Sequence, residues 1–206
     1  MAETTFAFGP DLTEADTSQH LLDAIFNGLL FASSNDDLPS LEGVRFEYRP
    51  LGDRAGLTLV ATDRYALSMQ TIRTAANGEG GPLDFMVGTG DLKAMLTAHR
   101  KARYLYLMVD REAFTLRVKG DVTTEHELMA NNFPKWERLF PGVDAVAQAG
   151  MAFRPQFLAK LGKVRRRGVK RSDLAPVELT FYGDRKPAVA RMDAGPTVLI
   201  MPVRTS

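Results

Sequence analysis

Cysteine is absent from the 206 residues. That excludes a disulfide scaffold, a thiol nucleophile and any thiolate metal site, and it predicts a reducing, cytoplasmic setting. Histidine is scarce: His20, His99 and His126 stand alone, in no metal-ligand spacing. No apolar run approaches the ~18 residues of a membrane helix. The opening Met1-Ala2-Glu3-Thr4-Thr5 has no basic region and no apolar stretch, so a signal peptide is not expected. Neither sign of charge dominates, with 26 basic and 25 acidic residues. A nucleic-acid partner would therefore need basic residues gathered on one face. Gly-x-Ser-x-Gly, P-loop and Gly-x-Gly-x-x-Gly motifs are all missing. Asp63, at a strand end, could act as a general base, but a carboxylate there more often caps a turn. Asp53 and Asp63 would hold a metal only if the fold brought in further oxygens. His99, at an apolar helical spacing, reads as packed or solvated. The expectation is a protein without catalysis, metal or cofactor.

What is present is a repeated order of elements. Thr5 to Phe8 reads as a short strand. Asp16-Thr17-Ser18 supplies helix N-caps, and Leu21, Leu22, Ile25 and Leu29 recur at helical spacing, predicting a helix from Gln19 to about Leu30. Strands follow at Val44 to Tyr48, Leu57 to Ala61 and Leu67 to Ile72. Asn77 to Pro82 reads as a linker. The order then restarts: a strand at Phe85 to Val87, a helix with Leu92, Met95, Leu96 and His99 on one face, and strands at Tyr104 to Val109, Phe114 to Val118 and Thr123 to Met129. Phe133 to Pro141 closes this part, and Gly142 to Gly150 is a softer linker. A third round gives a strand at Met151 to Phe153, a helix opened by Pro155 and lined by Phe157, Leu158, Leu161 and Val164, and strands at Val177 to Phe181, Pro187 to Arg191 and Thr197 to Met201. The fold class expected is α+β, made of strand–helix–three-strand units with antiparallel sheets and helices on one face. Two units make a compact domain. The third is expected to stand unpaired and to need another chain.

The last apolar stretch, Thr197-Val198-Leu199-Ile200-Met201-Pro202-Val203-Arg204, has two readings. It is a core strand ended by Pro202, or one wall of a groove that receives a partner.

Four stretches resemble the bacterial DNA polymerase III β subunit, or sliding-clamp, family. They are Leu29-Leu30-Phe31-Ala32-Ser33-Ser34 with Leu38-Pro39 and Leu41-Glu42-Gly43-Val44; Leu57 through Leu67 with its Ala61-Thr62-Asp63; Asn132 through Pro141; and Leu199 through Arg204. The resemblance implies a DNA-clamp-like fold shortened to a middle domain at 1–141 (units 1–76 and 83–141), a linker at 142–150, and a half-domain at 151–206 similar to the end of the last clamp domain. A full clamp chain has six units, and the family usually carries a basic residue where Ala66 stands.

The function implied is that of a processivity factor, a non-catalytic accessory of DNA polymerase. It would encircle or hold duplex DNA and tether a polymerase or repair protein through a bound peptide. Carried over by position, the peptide groove would be lined by Leu41, Thr62, Arg64, Tyr65, Leu67, Pro141, Ile200, Met201, Pro202, Val203 and Arg204. The DNA backbone would meet Lys93, Arg100, Lys101, Arg103, Lys160, Lys163, Arg165, Arg166, Arg167, Lys170 and Arg171, without sequence preference. Twelve units in a ring would need four chains. Two alternatives stand beside this: an interaction protein that keeps the groove but does not encircle DNA, and an enzyme on an unrelated α+β fold.

Overall fold

A computed structural model describes residues 4–12, 15–34, 37–51, 54–77, 82–130, 132–140, 151–167, 176–183 and 186–203. In chain order the elements are β1 (Thr4–Phe8), α1 (Ser18–Phe31), β2 (Gly43–Leu51), β3 (Arg54–Thr62), β4 (Ala66–Arg73), β5 (Ala75–Asn77), β6 (Leu83–Gly88), α2 (Thr89–Ala98), β7 (Leu105–Asp110), β8 (Thr115–Lys119), β9 (Thr123–Met129), α3 (Pro155–Leu161), β10 (Glu178–Thr180), β11 (Ala188–Arg191) and β12 (Thr197–Ile200). The strands are antiparallel throughout and run in the order β10-β11-β12-β4-β3-β2-β6-β9-β8-β7-β1-β5.

The first two units exchange their opening strands. β1 pairs with β7 of the second unit as well as with β5, and β6 lies between β2 of the first unit and β9 of its own. Each pairing gives a strand a neighbour it would otherwise lack, which removes an exposed edge. β5 then covers the far side of β1, with Asn77 opposite Thr5. Asn77 is therefore the end of a strand rather than the start of a linker. The proposed linker at 142–150 lies outside the described residues.

The third unit does not stand unpaired. β12 pairs with β4, Leu199 opposite Leu67 and Ile200 opposite Ala66, so β10-β11-β12 extends the sheet of the first unit. The expected strand at Met151 to Phe153 does not form. Ala152 accepts one backbone bond from Val203, 2.8 Å long. Pro202, next to it, has no N–H, so a ladder cannot propagate along this stretch.

All three helices pack on one face of the sheet. α1 begins at a capping box in which Thr17 and His20 satisfy each other's backbone N–H groups. It buries Leu21, Leu22, Ala24, Ile25 and Phe31. A Cβ on Gly28 would lie 2.9 Å from Val44, so glycine lets α1 sit close on β2. Leu92 and Met95 of α2 and Phe157 and Leu161 of α3 join the same core, which continues across the sheet through the stacked rings of Phe46 and Phe85, 4.9 Å apart.

A second, smaller core lies on the other face. Strand alternation sends Val60, Leu67, Met86, Val189 and Leu199 there, and Leu41, Phe133 and Trp136 cover them. Beside this core Asp84 receives Arg45 at 2.9 Å and Arg49 at 3.1 Å. Partial burial opposes its charge, but the hydrogen bond and charge of Arg49, with Arg45, outweigh that and hold the carboxyl below the usual carboxylate value. A depressed pKa of this kind adds stability at neutral pH that is lost as pH falls through the folded value, below about 4. Asp84→Asn should therefore flatten the acid limb of the stability–pH curve measured by urea unfolding.

Candidate functional site

The β3–β4 turn is the centre of the candidate site. Thr62 donates from its hydroxyl to the Ala66 carbonyl at 2.8 Å, and the Asp63 carboxylate accepts the backbone N–H groups of Tyr65 and Ala66 at 3.0 and 2.8 Å. This Asx-type turn carries Arg64 through a left-handed conformation (φ 76°), an uncommon state for a residue with a Cβ. Asp63 thus caps the turn, and its second oxygen receives Lys160 of α3 at 2.6 Å.

The outcome is an exposed Tyr65, 49% accessible, held from beneath. Its ring stacks on Phe157 at 5.7 Å, with the Arg154 guanidinium 5.6 Å from the ring centre. Lys160 lies 5.4 Å from the Phe31 ring and 5.7 Å from that of Phe157. The end of β12 meets the same turn, where Met201 donates its backbone N–H to the Tyr65 carbonyl at 2.9 Å. Two stretches far apart in sequence are joined at this point. A cleft of about 250 Å³ opens alongside, lined by Ala32, Ser33, Ser34, Leu38, Asp63, Arg64, Tyr65 and Lys160.

The groove residues expected from the sequence fall into three places. Leu41 and Leu67 are buried in the outer core, and Thr62 is buried within the turn. Ile200 is fully buried on the helix-bearing face. Arg64, Tyr65 and Met201 are exposed, while Pro202 and Val203 are half-buried. Pro141 and Arg204 lie outside the described residues. Sequence reasoning missed Phe157, Lys160 and Arg154 as supports of Tyr65. Phe157 reads in the sequence as core and Lys160 as a DNA contact, while Arg154, just before α3, carries no reading there.

The expected DNA-facing cations divide as well. Lys93, Arg100, Lys101 and Lys163 are exposed and have no ion-pair partner among the described residues. Arg103 pairs with Asp11 at 3.1 Å, Arg165 with Asp23 at 3.2 Å and Arg167 with Asp16 at 2.6 Å. Arg166 donates to the Pro176 carbonyl at 3.1 Å. Lys170 and Arg171 lie outside the described residues.

The pairs at Arg165 and Arg167 belong to a joint between the third unit and α1. The fully buried Asn27 accepts the Arg165 backbone N–H at 2.7 Å and donates to its carbonyl at 2.8 Å and to Gln70 at 3.0 Å. Asp16 exchanges backbone bonds with Arg73 through both its main chain and its carboxylate. Burial, then the nearby Arg167, hold His20 at this joint below the ordinary histidine value.

Among the described residues no group of three histidines, aspartates or glutamates could hold a metal ion. Among the described residues no helix is long and apolar enough to cross a membrane.

No family model and no curated protein matches the chain in sequence. Solved structures do match in fold. The DNA polymerase sliding clamp of Bacillus subtilis has a TM-score of 0.74 at 14% identity, over 98% of this chain and 64% of that one. The DNA polymerase III β chain of Streptococcus pneumoniae has 0.71 at 17%, over 95% and 67%. The Helicobacter pylori β clamp bound to a DNA ligase peptide has 0.71 at 10%, over 99% and 66%. The chain thus has the sliding-clamp fold and spans about two thirds of the length of these clamps.

Proposed function

We propose that this protein is a sliding-clamp-like accessory factor of DNA metabolism, holding duplex DNA against its helix-bearing face and tethering a polymerase or repair protein through a short peptide. One observation carries the reading most directly. The exposed turn Arg64–Tyr65 and the exposed exit of β12 at Met201 are hydrogen-bonded neighbours beside a cleft. The fold is that of a clamp solved with a ligase peptide. An exposed tyrosine braced by aromatic and cationic neighbours is a preorganised anchor, and a methionine beside it adapts to different side chains. DNA would meet Lys93, Arg100, Lys101 and Lys163, which are free to face phosphates. Function then comes from raised effective concentration of the tethered partner rather than from bond chemistry.

With about two thirds of a clamp's length, one chain is too short for half a ring of that size: closure would take three copies by length, or four if each chain supplies three of twelve units. The ion pairs at Arg103, Arg165 and Arg167 favour a second reading, an interaction protein that uses the peptide site without encircling DNA. They withdraw a large part of the basic charge from any phosphate.

Two measurements test the first reading. A peptide with a glutamine and apolar anchors is expected to bind, and the double substitution Tyr65→Ala with Met201→Ala to weaken it by about 10-fold or more. Retention on nicked circular DNA, with loss on linear DNA, is expected of a ring. Replacing Lys93, Arg100, Lys101 and Lys163 with alanine should lower the salt slope of DNA binding by about 3 to 4. Peptide binding without DNA retention would select the second reading, and failure of both would remove the two together.

A further inference from the structure

Two buried histidines take no part in either proposed surface. His99, at the C-terminal end of α2, is 1% exposed, and His126 on β9 is 6% exposed. Their Nε2 atoms both meet the Thr124 hydroxyl, at 2.9 Å each. His126 Nδ1 meets the Asp91 carboxylate at 3.1 Å, in the first turn of α2. His99 Nδ1 is buried without a partner. It faces Gly120, where an added Cβ would lie 3.1 Å away. The chain Asp91–His126–Thr124–His99 thus ties both ends of α2 to β9.

The chemistry of the donors fixes its direction. An ionised carboxylate only accepts, so His126 Nδ1 carries the proton it donates to Asp91. In neutral His126 the Nε2 is then bare and accepts from the Thr124 hydroxyl. A hydroxyl has one proton, so Thr124 must accept from His99, whose Nε2 therefore carries the hydrogen and whose Nδ1 is bare.

We propose that these four residues form a proton relay whose hydrogen bonds reverse together when the chain takes up one proton. The balance is as follows. On uptake of one proton His99 Nδ1 gains a hydrogen, the Nε2 proton of His99 passes to Thr124, and the Thr124 proton passes to His126 Nε2. His126 becomes the imidazolium, opposite Asp91. Thr124 now donates to His99, and His99 is again neutral but in the other tautomer. One proton is gained and every hydrogen bond in the chain is kept.

The surroundings agree with this placement of charge. The titratable groups facing His99 are His126 on β9 and Asp121 in the β8–β9 turn, while Leu105 and Ala102 close the side near Gly120. Burial, then His126, disfavour charge on His99 more than Asp121 favours it. Asp91, half-exposed, faces His126 directly. The positive charge therefore rests on the histidine that has the carboxylate.

Ring-nitrogen NMR of the intact protein between about pH 8 and about pH 5 tests this, because it reads tautomer and charge separately. His99 is expected to change from the Nε2–H to the Nδ1–H tautomer in step with the charging of His126, remaining neutral itself. A constant His99 tautomer, or a His99 that becomes charged, overturns the relay. Thr124→Val, which removes the hydroxyl, should abolish the tautomer change, and its persistence would overturn the proposal. Thr124→Ser keeps the hydroxyl and should keep the change. Asp91→Asn, on the half-exposed end, should move it to lower pH, and an unmoved midpoint counts against the assignment.

Discussion

Trp136→Ala is expected to lower the unfolding free energy by about 3–5 kcal/mol, the usual cost of truncating a large buried aromatic. Trp136 is the lid of the outer core. It shares that core with Leu41, Val60, Leu67, Met86, Phe133, Val189 and Leu199, and its ring meets Phe140 edge-on at 5.7 Å. Its indole N–H donates to the buried Glu47 carboxylate at 2.8 Å, which also pairs with Arg45 at 2.8 Å. Two losses therefore combine: contact area over the sheet, and a donor to a carboxylate that is 5% exposed. Trp136→Phe separates them. It keeps most of the packing and should cost about 1.5–3 kcal/mol, the range for a lost hydrogen bond to a charged group. Urea unfolding of the three proteins measures both differences. Equal losses in the two variants would mean that packing at this position counts for little.

Asn27→Leu is expected to cost about 3–4 kcal/mol, although leucine is the more apolar residue and the site is fully buried. The side-chain amide satisfies the N–H and the carbonyl of Arg165, and each of those backbone groups left dry and unpaired costs about 1–3 kcal/mol. The damage should be directional. Arg165 and Arg167 would lose the anchor between them and α1, leaving their ion pairs with Asp23 and Asp16, which are partly solvated and weak, and the Arg165 guanidinium 3.8 Å from the centre of the Phe26 ring. Trypsin should then cut at Arg165 to Arg167 well before the rest of the chain. A variant as stable and as protease-resistant as the parent would show that β12 and α3 hold the third unit in place without this anchor.

The strands and helices were largely legible in the sequence because their periodicities are local. Leu21, Leu22 and Ile25 mark α1, and the alternation of Val44, Phe46 and Tyr48 marks β2. Partners were less legible. Nothing in Thr4–Phe8 says that β1 pairs with β7 rather than with its own unit, since any edge of matching length would serve. The pairing of β12 with β4 depends on which edge is left open once β2 and β6 have met. The basic run from Lys160 to Arg167 reads as a surface for the DNA backbone, as the family resemblance implies. Its acidic partners, Asp63, Asp23 and Asp16, are distant in sequence and individually ordinary. Asn27 did leave a trace: a short amide on the helix face that buries Ala24 and Phe31 has no reason to be there unless something polar meets it.

The exchange of opening strands between the first two units changes how the molecule comes apart. Had each unit kept its own strand, either could open while its neighbour stayed closed, as beads on a string do. With β1 between β7 and β5, and β6 between β2 and β9, opening either unit breaks strand pairing that the other depends on. The repeat is twofold in sequence pattern but single in cooperativity. A disturbance at the outer core, or at the buried histidines under α2, is therefore felt as the stability of the whole rather than of the half that contains it.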